Sequence, residues 1–256
     1  MRITGEPAFI LHVRPWRESS CLVEALSAEY GRMGLLARGM RGPKQHVMRA
    51  ALQPLQYVRL DAVQRGELAQ LRNAEALDAA PLLDGEATLA AFYINELVLR
   101  LAPRSDPQPD LFDTYGRVRE RLRAREPLAW TLRRFEADLL DALGFGLGFD
   151  VDGDGAPIDP AARYRLDPEH GPRRLLSDRG QGERSNAATG SALLALSQRG
   201  EAPTTDDLAG LRRSLRPVLM HHLGGRPLKS WDLLSDLGRV LQARHPGDGE
   251  LENAQG

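Results

Sequence analysis

The chain of 256 residues is long enough for one large domain or two modest ones, and 42% hydrophobic with 27% charged residues describes a globular protein with a sizeable core. A single cysteine, Cys21, excludes an intramolecular disulfide and a cysteine-held structural zinc, and fits a reducing cytosol. Net charge is −1, but it is unevenly spread: residues 1–72 hold 11 Arg or Lys against 6 Asp or Glu, and residues 212–245 hold 7 against 2, so two basic ends flank an acidic middle.

Met1 to Val13 has neither a long apolar run nor a small-residue cleavage site, so no signal peptide is read there. No stretch reaches the roughly 18 apolar residues that span a bilayer, and no membrane is expected. Residues 8–73 read as five short strands. Phe9, Leu11 and Val13 alternate with Ala8, Ile10 and His12; then come Cys21–Leu26, a turn at Gly31, Met33–Ala37, a run marked by Leu55, Val58 and Leu60, and Glu67–Arg72 after Gly66. Five strands in so short a span suit a small closed barrel, and a five-stranded OB-fold is the commonest such barrel with nucleic-acid affinity.

Near residue 80 the apolar period changes from strand-like to helical. Leu89, Phe92, Tyr93, Glu96, Leu97 and Leu101 mark one helix, stopped by Pro103 and the Pro107–Pro109 stretch. Asp110 is read as the cap of a second, carrying Leu111, Tyr115, Val118 and Leu122. A third, from Leu128 to Leu143, carries Leu132, Phe135 and Leu139, with Gly144 as its stop. Residues 144–186 are Gly-, Pro- and Asp-rich and read as an irregular insertion, with a short hairpin near Tyr164–Leu166 and Arg174–Leu176. Ser191–Ser197 is helical, Thr204 or Thr205 caps a helix from Asp206 to Leu223 ended by Gly224–Gly225, and Ser230 caps a last helix from Trp231 to Ala243. The fold class is therefore α+β: an OB-fold over 1–80, a helical domain over 81–245 with a zinc-free insertion at 144–186, and a polar, disordered tail over 246–256.

Several short motifs fail on their context. Asp150-Val151-Asp152-Gly153-Asp154-Gly155 opens like a calcium loop, but Ala161 stands where the bidentate Glu belongs. The same acidic run is the only candidate magnesium site for a nuclease, and it lacks support around it. Gly144-Phe145-Gly146-Leu147-Gly148 follows a helix rather than a strand, and Gly225–Ser230 lacks the Gly before Lys229 that a phosphate loop needs. His221 and His222 are helix neighbours about 100° apart and cannot chelate one ion. No spacing argues for a catalytic nucleophile, so the chain is read as no enzyme, without metal or cofactor.

The stronger signal is the basic loop Arg38-Gly39-Met40-Arg41-Gly42-Pro43-Lys44 followed by Arg49, which carries four cations and no carboxylate between the third and fourth strands. A glycine-rich loop lets guanidinium groups reach phosphates without sequence choice. Arg14 and Arg32 on the strands extend this candidate DNA surface, while Trp16, Tyr30 and Tyr57 are the few aromatics placed to stack on bases. A second basic set lies near the C-terminus: Arg212, Arg213, Arg216, Arg226 and Lys229, with Arg212 and Arg216 sharing a helix face. For each set the alternative is an ordinary solvated surface, since all but two of the 34 basic residues are arginine.

An ordered series of segments resembles the RecO family. It runs through Ala8-Phe9-Ile10-Leu11, Glu18-Ser19-Ser20, Gly31-Arg32, the loop Arg38–Lys44, Leu52-Gln53-Pro54-Leu55 and Gly66-Glu67-Leu68. It continues through Tyr93-Ile94-Asn95-Glu96-Leu97, Pro109–Tyr115, Leu132-Arg133-Arg134-Phe135-Glu136, Leu143–Gly146 and His221–Ser230. The resemblance implies a cytoplasmic, nucleoid-associated bacterial mediator of recombinational repair. Such a protein binds single- and double-stranded DNA, anneals complementary strands, and helps load RecA onto strands coated with single-strand-binding protein. It works with RecR, and in many bacteria with RecF. The resemblance also implies binding of the acidic, apolar-ended tail of single-strand-binding protein, for which Arg133, Arg134 and Phe135 are the candidates. Many relatives hold zinc through four cysteines; here residues 150–172 hold none. The alternative reading is a repair adaptor that binds protein and whose barrel makes no DNA contact.

Overall fold

The computed structural model describes residues 1–40, 42, 46–175, 187–231 and 233. Five strands close into a barrel: β1 (Arg2–Trp16), β2 (Ser20–Ser27), β3 (Gly31–Ala37), β4 (Tyr57–Gln64) and β5 (Leu68–Ala76), hydrogen-bonded in the order β1-β2-β3-β5-β4. Neighbours are antiparallel except β3 and β5, which run parallel through Gly34–Leu68, Leu35–Ala69 and Leu36–Gln70. This is the expected OB-fold arrangement. β1 begins at Arg2 rather than at Ala8, because it pairs along its first half with β4 and along its second with β2. Register shifts at Ile3/Glu6 and Ile10/His12 bend it enough to serve both partners and close the barrel.

The pleat explains why β1 is apolar without interruption from Ala8 to Leu11. Ala8 and Ile10 point into the barrel core with Val23, Leu35 and Leu60. Phe9 and Leu11 point outward, but onto helices, in a second core with Tyr93, Leu97, Tyr115 and Phe135. Both faces of the strand are therefore dry, each buried large side chain contributing about 1.5–3 kcal/mol. Gly31, at φ 64°, turns the chain between β2 and β3, and a Cβ there would fall 1.9 Å from the Asp106 carbonyl oxygen. Only glycine satisfies both demands.

A short helix, α1 (His46–Ala51), lies between β3 and β4, where the sequence reads as loop. At 6 residues, with only Ala51 buried, it shows no periodicity to detect. The helical body contains α2 (Gly85–Leu101), α3 (Pro109–Arg123), α4 (Leu128–Ala142), α5 (Gly190–Gln198) and α6 (Thr205–His222). Asp110 does not cap α3: Pro109 occupies the first turn and Gln108 the cap, leaving Asp110 to complement the helix N-terminus by charge. In α2 the buried stripe runs through Ala90, Tyr93, Ile94, Leu97 and Val98, and Phe92 stands half exposed beside it. Of the two candidate caps it is Thr204 that caps α6, its hydroxyl accepting from the Asp207 amide at 3.2 Å, and Thr205 opens the helix.

The insertion contains a hairpin, β6 (Arg163–Asp167) and β7 (Gly171–Arg174), with Tyr164 opposite Arg174; its first strand lies where the sequence places it, its second ends where the expected Arg174–Leu176 strand begins, and Leu176 lies outside the described residues. A strand not foreseen, β8 (Ala188–Thr189), adds to β6 and completes a three-stranded sheet in the order β7-β6-β8. Two residues are too few to show alternation. The expected helix over 231–243 and tail over 246–256 lie almost wholly outside the described residues.

Candidate nucleic-acid interface and apolar pocket

The last row that β1, β2 and β3 share is Pro15–Cys21–Ala37, with β1 and β2 continuing one pair further to Trp16–Ser20, so the residues beyond that row lie at one end of the barrel. These are Trp16, the turn Arg17-Glu18-Ser19, and Arg38 with the basic loop. The Met40 amide donates to the Ser19 carbonyl at 2.6 Å, which pins the start of the loop to the hairpin tip. Arg49 folds the loop from the other side, its Nη1 donating to the carbonyls of Met40 at 2.5 Å and Gly42 at 3.1 Å. Arg14 and Arg38 are exposed and have no carboxylate partner among the described residues. Arg41 and Lys44, the other cations expected on this surface, lie outside the described residues.

Arg32 is placed elsewhere. It is largely buried, its Nη1 lies 3.2 Å from Glu24 Oε2, and its Nε donates to the Ala102 carbonyl at 2.9 Å, tying the barrel to the end of α2. Burial, with the nearby Arg104 charge, lowers its pKa. Its charge is committed inside the protein rather than offered to phosphate. Tyr57 is likewise unavailable for stacking, because its ring packs on Phe9 at 4.8 Å and belongs to the aromatic group with Phe112. Tyr30 packs against the barrel core. Trp16 alone of the three candidate aromatics stays open, at 41% exposure, with the Arg14 guanidinium 5.9 Å from its ring centre.

The second basic set is divided. Arg212 and Arg216 line a cavity of about 500 Å3 between α2, α4 and α6, whereas Arg213, on the same helix, does not. The cavity's apolar wall includes Tyr93, Leu132, Leu208, Leu219 and Trp231. Arg216 lies 4.4 Å from the Trp231 ring centre. Trp231 is held by the preceding turn, where Glu96 accepts from the Lys229 amide at 2.9 Å, the Ser230 amide at 2.9 Å and the Ser230 hydroxyl at 2.7 Å. Arg226 and Lys229 present exposed side chains on that turn.

Arg133, Arg134 and Phe135 do not act as one group. Arg133 lines the same cavity and its Nη2 donates to Glu136 Oε1 at 2.5 Å. Arg134 faces away, over the Trp130 ring at 5.9 Å and 3.9 Å from Glu126. Phe135 is fully buried in the core, since side chains adjacent on a helix diverge by about 100°. Glu136, also at the cavity, accepts the Tyr93 hydroxyl at 2.6 Å. Burial raises its carboxyl pKa despite the opposing pull of Arg133 and of Tyr93's hydroxyl. The cavity thus pairs an apolar wall with three guanidinium groups, Arg133, Arg212 and Arg216, and two carboxyls, Glu86 and Glu136. The spacing of Arg212 and Arg216 puts them together on one helix face, and only the packing of α4 against α6 adds Arg133.

The acidic run resolves into local turns. Asp152 Oδ1 accepts the amides of Asp154 and Ala156, and Asp154 pairs with Arg173 at 2.6 Å. His222 stacks on Phe145 at 4.1 Å and meets His221 edge-on. Among the described residues no group of three or more His, Cys, Asp or Glu could hold a metal ion, and no helix is long and apolar enough to cross a membrane.

The sequence matches the family described as "Recombination protein O N terminal" over residues 1–80 and the one described as "Recombination protein O C terminal" over residues 82–232. Among similar proteins is the DNA repair protein RecO of Xylella fastidiosa (strain M12), 59% identical over 235 residues, which are 92% of this chain and 96% of that protein. The DNA repair protein RecO of Xanthomonas oryzae pv. oryzae (strain PXO99A) is 59% identical over 239 residues, 93% of this chain and 99% of that protein. The DNA repair protein RecO of Xanthomonas euvesicatoria pv. vesicatoria (strain 85-10) gives the same identity and coverage.

Proposed function

This chain belongs to the RecO family of DNA repair proteins, and from that premise we propose that it is a recombination mediator which holds DNA strands at its barrel while its helical body grips the protein that coats them. In this reading it binds single- and double-stranded DNA, anneals complementary strands, and helps load RecA onto strands covered by single-strand-binding protein. RecR, and RecF where it is present, are the further partners that family membership suggests. No bond is made or broken. Annealing requires a surface that neutralises two phosphate backbones at once and so lowers their mutual repulsion.

The observation that carries the reading is that the basic side chains fall into two separate groups with no residue in common. At the barrel end, Arg14 and Arg38 are exposed with no carboxylate partner among the described residues, beside the pinned start of a glycine-containing loop, which suits sequence-independent phosphate contact. In the helical body, Arg133, Arg212 and Arg216 border an apolar cavity. That cavity suits the acidic, apolar-ended tail of single-strand-binding protein: the terminal side chain would bury against Leu132, Leu219 and Trp231, and the preceding carboxylates would meet the guanidinium groups. Tail capture at one site leaves the other free for the strand.

A strand-annealing assay with and without single-strand-binding protein tests this. Wild-type protein is expected to accelerate annealing in both conditions. Arg212→Ala with Arg216→Ala is expected to keep annealing of naked strands and to lose it on coated strands. No acceleration by the wild type in either condition would remove the proposal.

A further inference from the structure

Trp16 has no structural employment to match its size. Trp130 and Trp231 are buried, at 4% and 6% exposure, whereas Trp16 keeps 41% of its surface open at the last residue of β1. A single exposed apolar side chain is unremarkable by itself. Three further features surround this one. Arg14, two residues back on the same face of the strand, sets its guanidinium 5.9 Å from the ring centre. Arg17, in the turn that follows, is held at φ 53°, a left-handed conformation uncommon for arginine. The Met40–Ser19 backbone hydrogen bond anchors the start of the basic loop to that same turn, so Arg38 issues beside it. An indole with one guanidinium beside it is thus set at the end of a barrel next to the start of the basic loop, roughly 20 Å along the strand from Phe9, where β1 packs on the helices.

We infer that Trp16 is a stacking platform for an unpaired base, and that it gives the barrel end a preference for single-stranded over duplex nucleic acid. Arginines at this surface neutralise phosphate in either form and do not distinguish them. A flat ring does distinguish them, because a base in a duplex has both faces covered by its neighbours, while an unpaired base offers one. Stacking requires no particular base, so the preference is for strandedness and not for sequence. The cation beside the ring helps from the same position: it meets the phosphate of the nucleotide whose base lies on Trp16. The inference rests on the reading of the barrel end as a DNA surface, and gives that surface its substrate class.

The test uses the full-length chain and two probes, oligothymidylate and a blunt duplex of the same length. Trp16→Ala is expected to weaken oligothymidylate binding about tenfold, with duplex affinity unchanged. Trp16→Phe is expected to recover most of the loss, and the salt dependence is expected to stay as in the wild type, since no phosphate contact is removed. Tryptophan emission supplies a second readout. Oligothymidylate is expected to quench the wild type and not Trp16→Phe, in which only the buried Trp130 and Trp231 emit. Equal loss on both probes, no loss on either, or quenching that survives in Trp16→Phe would overturn the inference while leaving the DNA surface standing. Failure of the wild type to bind either probe would remove the DNA surface and the inference together.

Discussion

Two groups of arginines in the N-terminal half of this protein look alike in the sequence and have opposite fates. Along the seam between barrel and helices, Arg119 is 2% exposed; its Nε donates to the Leu55 carbonyl at 2.7 Å, its Nη1 to Asp78 Oδ2 at 2.8 Å, and its Nη2 to the Ala79 carbonyl at 3.0 Å. Arg123 reaches the same Asp78 at 2.9 Å, and Glu24 receives both Arg32 and Arg104. At the barrel end, Arg14 and Arg38 meet no carboxylate among the described residues. The seam arginines are fasteners, valuable for the acceptors they satisfy. Those at the tip leave their charge uncompensated by any carboxylate among the described residues. Counting basic residues mixes the two kinds, and the surplus of five cations between 1 and 72, 11 against 6, is an incomplete measure of nucleic-acid affinity.

The contrast can be broken at four points, beginning with the largest effect. Arg119→Met should cost about 3 kcal/mol of folding stability, because Leu55 and Ala79 lose a buried donor and Asp78 loses its main partner. Chemical denaturation measures this, and a loss below about 1 kcal/mol would show that Arg119 is no fastener. Arg14→Ala with Arg38→Ala should leave the melting temperature unchanged but weaken DNA binding by about 1–3 kcal/mol across all sequences, with a shallower salt dependence. Fluorescence anisotropy at several salt concentrations would expose a wrong assignment as an unchanged affinity. Arg212→Ala with Arg216→Ala should weaken calorimetric binding of the single-strand-binding-protein tail peptide by about 1–2 kcal/mol, DNA binding at the barrel end being unaffected.

The smallest effect concerns pH. Burial alone would raise the Asp78 carboxyl, but the hydrogen bonds and charges of Arg119 and Arg123 outweigh it and hold the pKa below the usual carboxylate value. A lowered folded-state pKa means stability that is present above the unfolded value of about 3.9 and lost as pH falls through the folded one. Wild type should therefore exceed Asp78→Asn in melting temperature at neutral pH, and the gap should narrow below about pH 4. A gap that stays constant or widens on acidification would argue against the ion pairs as its source.

Local structure was legible where a local rule governs it. Short apolar runs separated by turn residues exposed the barrel strands, the Thr204-Thr205 pair announced the start of α6, and Gly144, at φ 81°, closed α4. What stayed hidden depends on distance along the chain. The partner of Arg119 is 41 residues away and that of Arg104 is 80 residues away, so nothing in the sequence near Arg32, Arg38 or Arg119 says which is free. The cavity draws its side chains from α2, α4 and α6, and a search along one helix finds at most Arg212 with Arg216. Tyr57 and Trp16 had equal standing as stacking aromatics until the helices covered the first.

The link between Met40 and Ser19 joins one main-chain amide to one main-chain carbonyl. It therefore asks nothing of the side chains of Glu18 and Ser19, whereas Arg17, at φ 53°, holds a place that a β-branched residue would strain. Charge at Glu18 and Ser19 can be added, deleted or reversed while the tether stays in place; a change that removes the amide hydrogen, such as Met40→Pro, cuts it. A grafting experiment could exploit the same freedom, exchanging rims between relatives as interchangeable tips on a common mount.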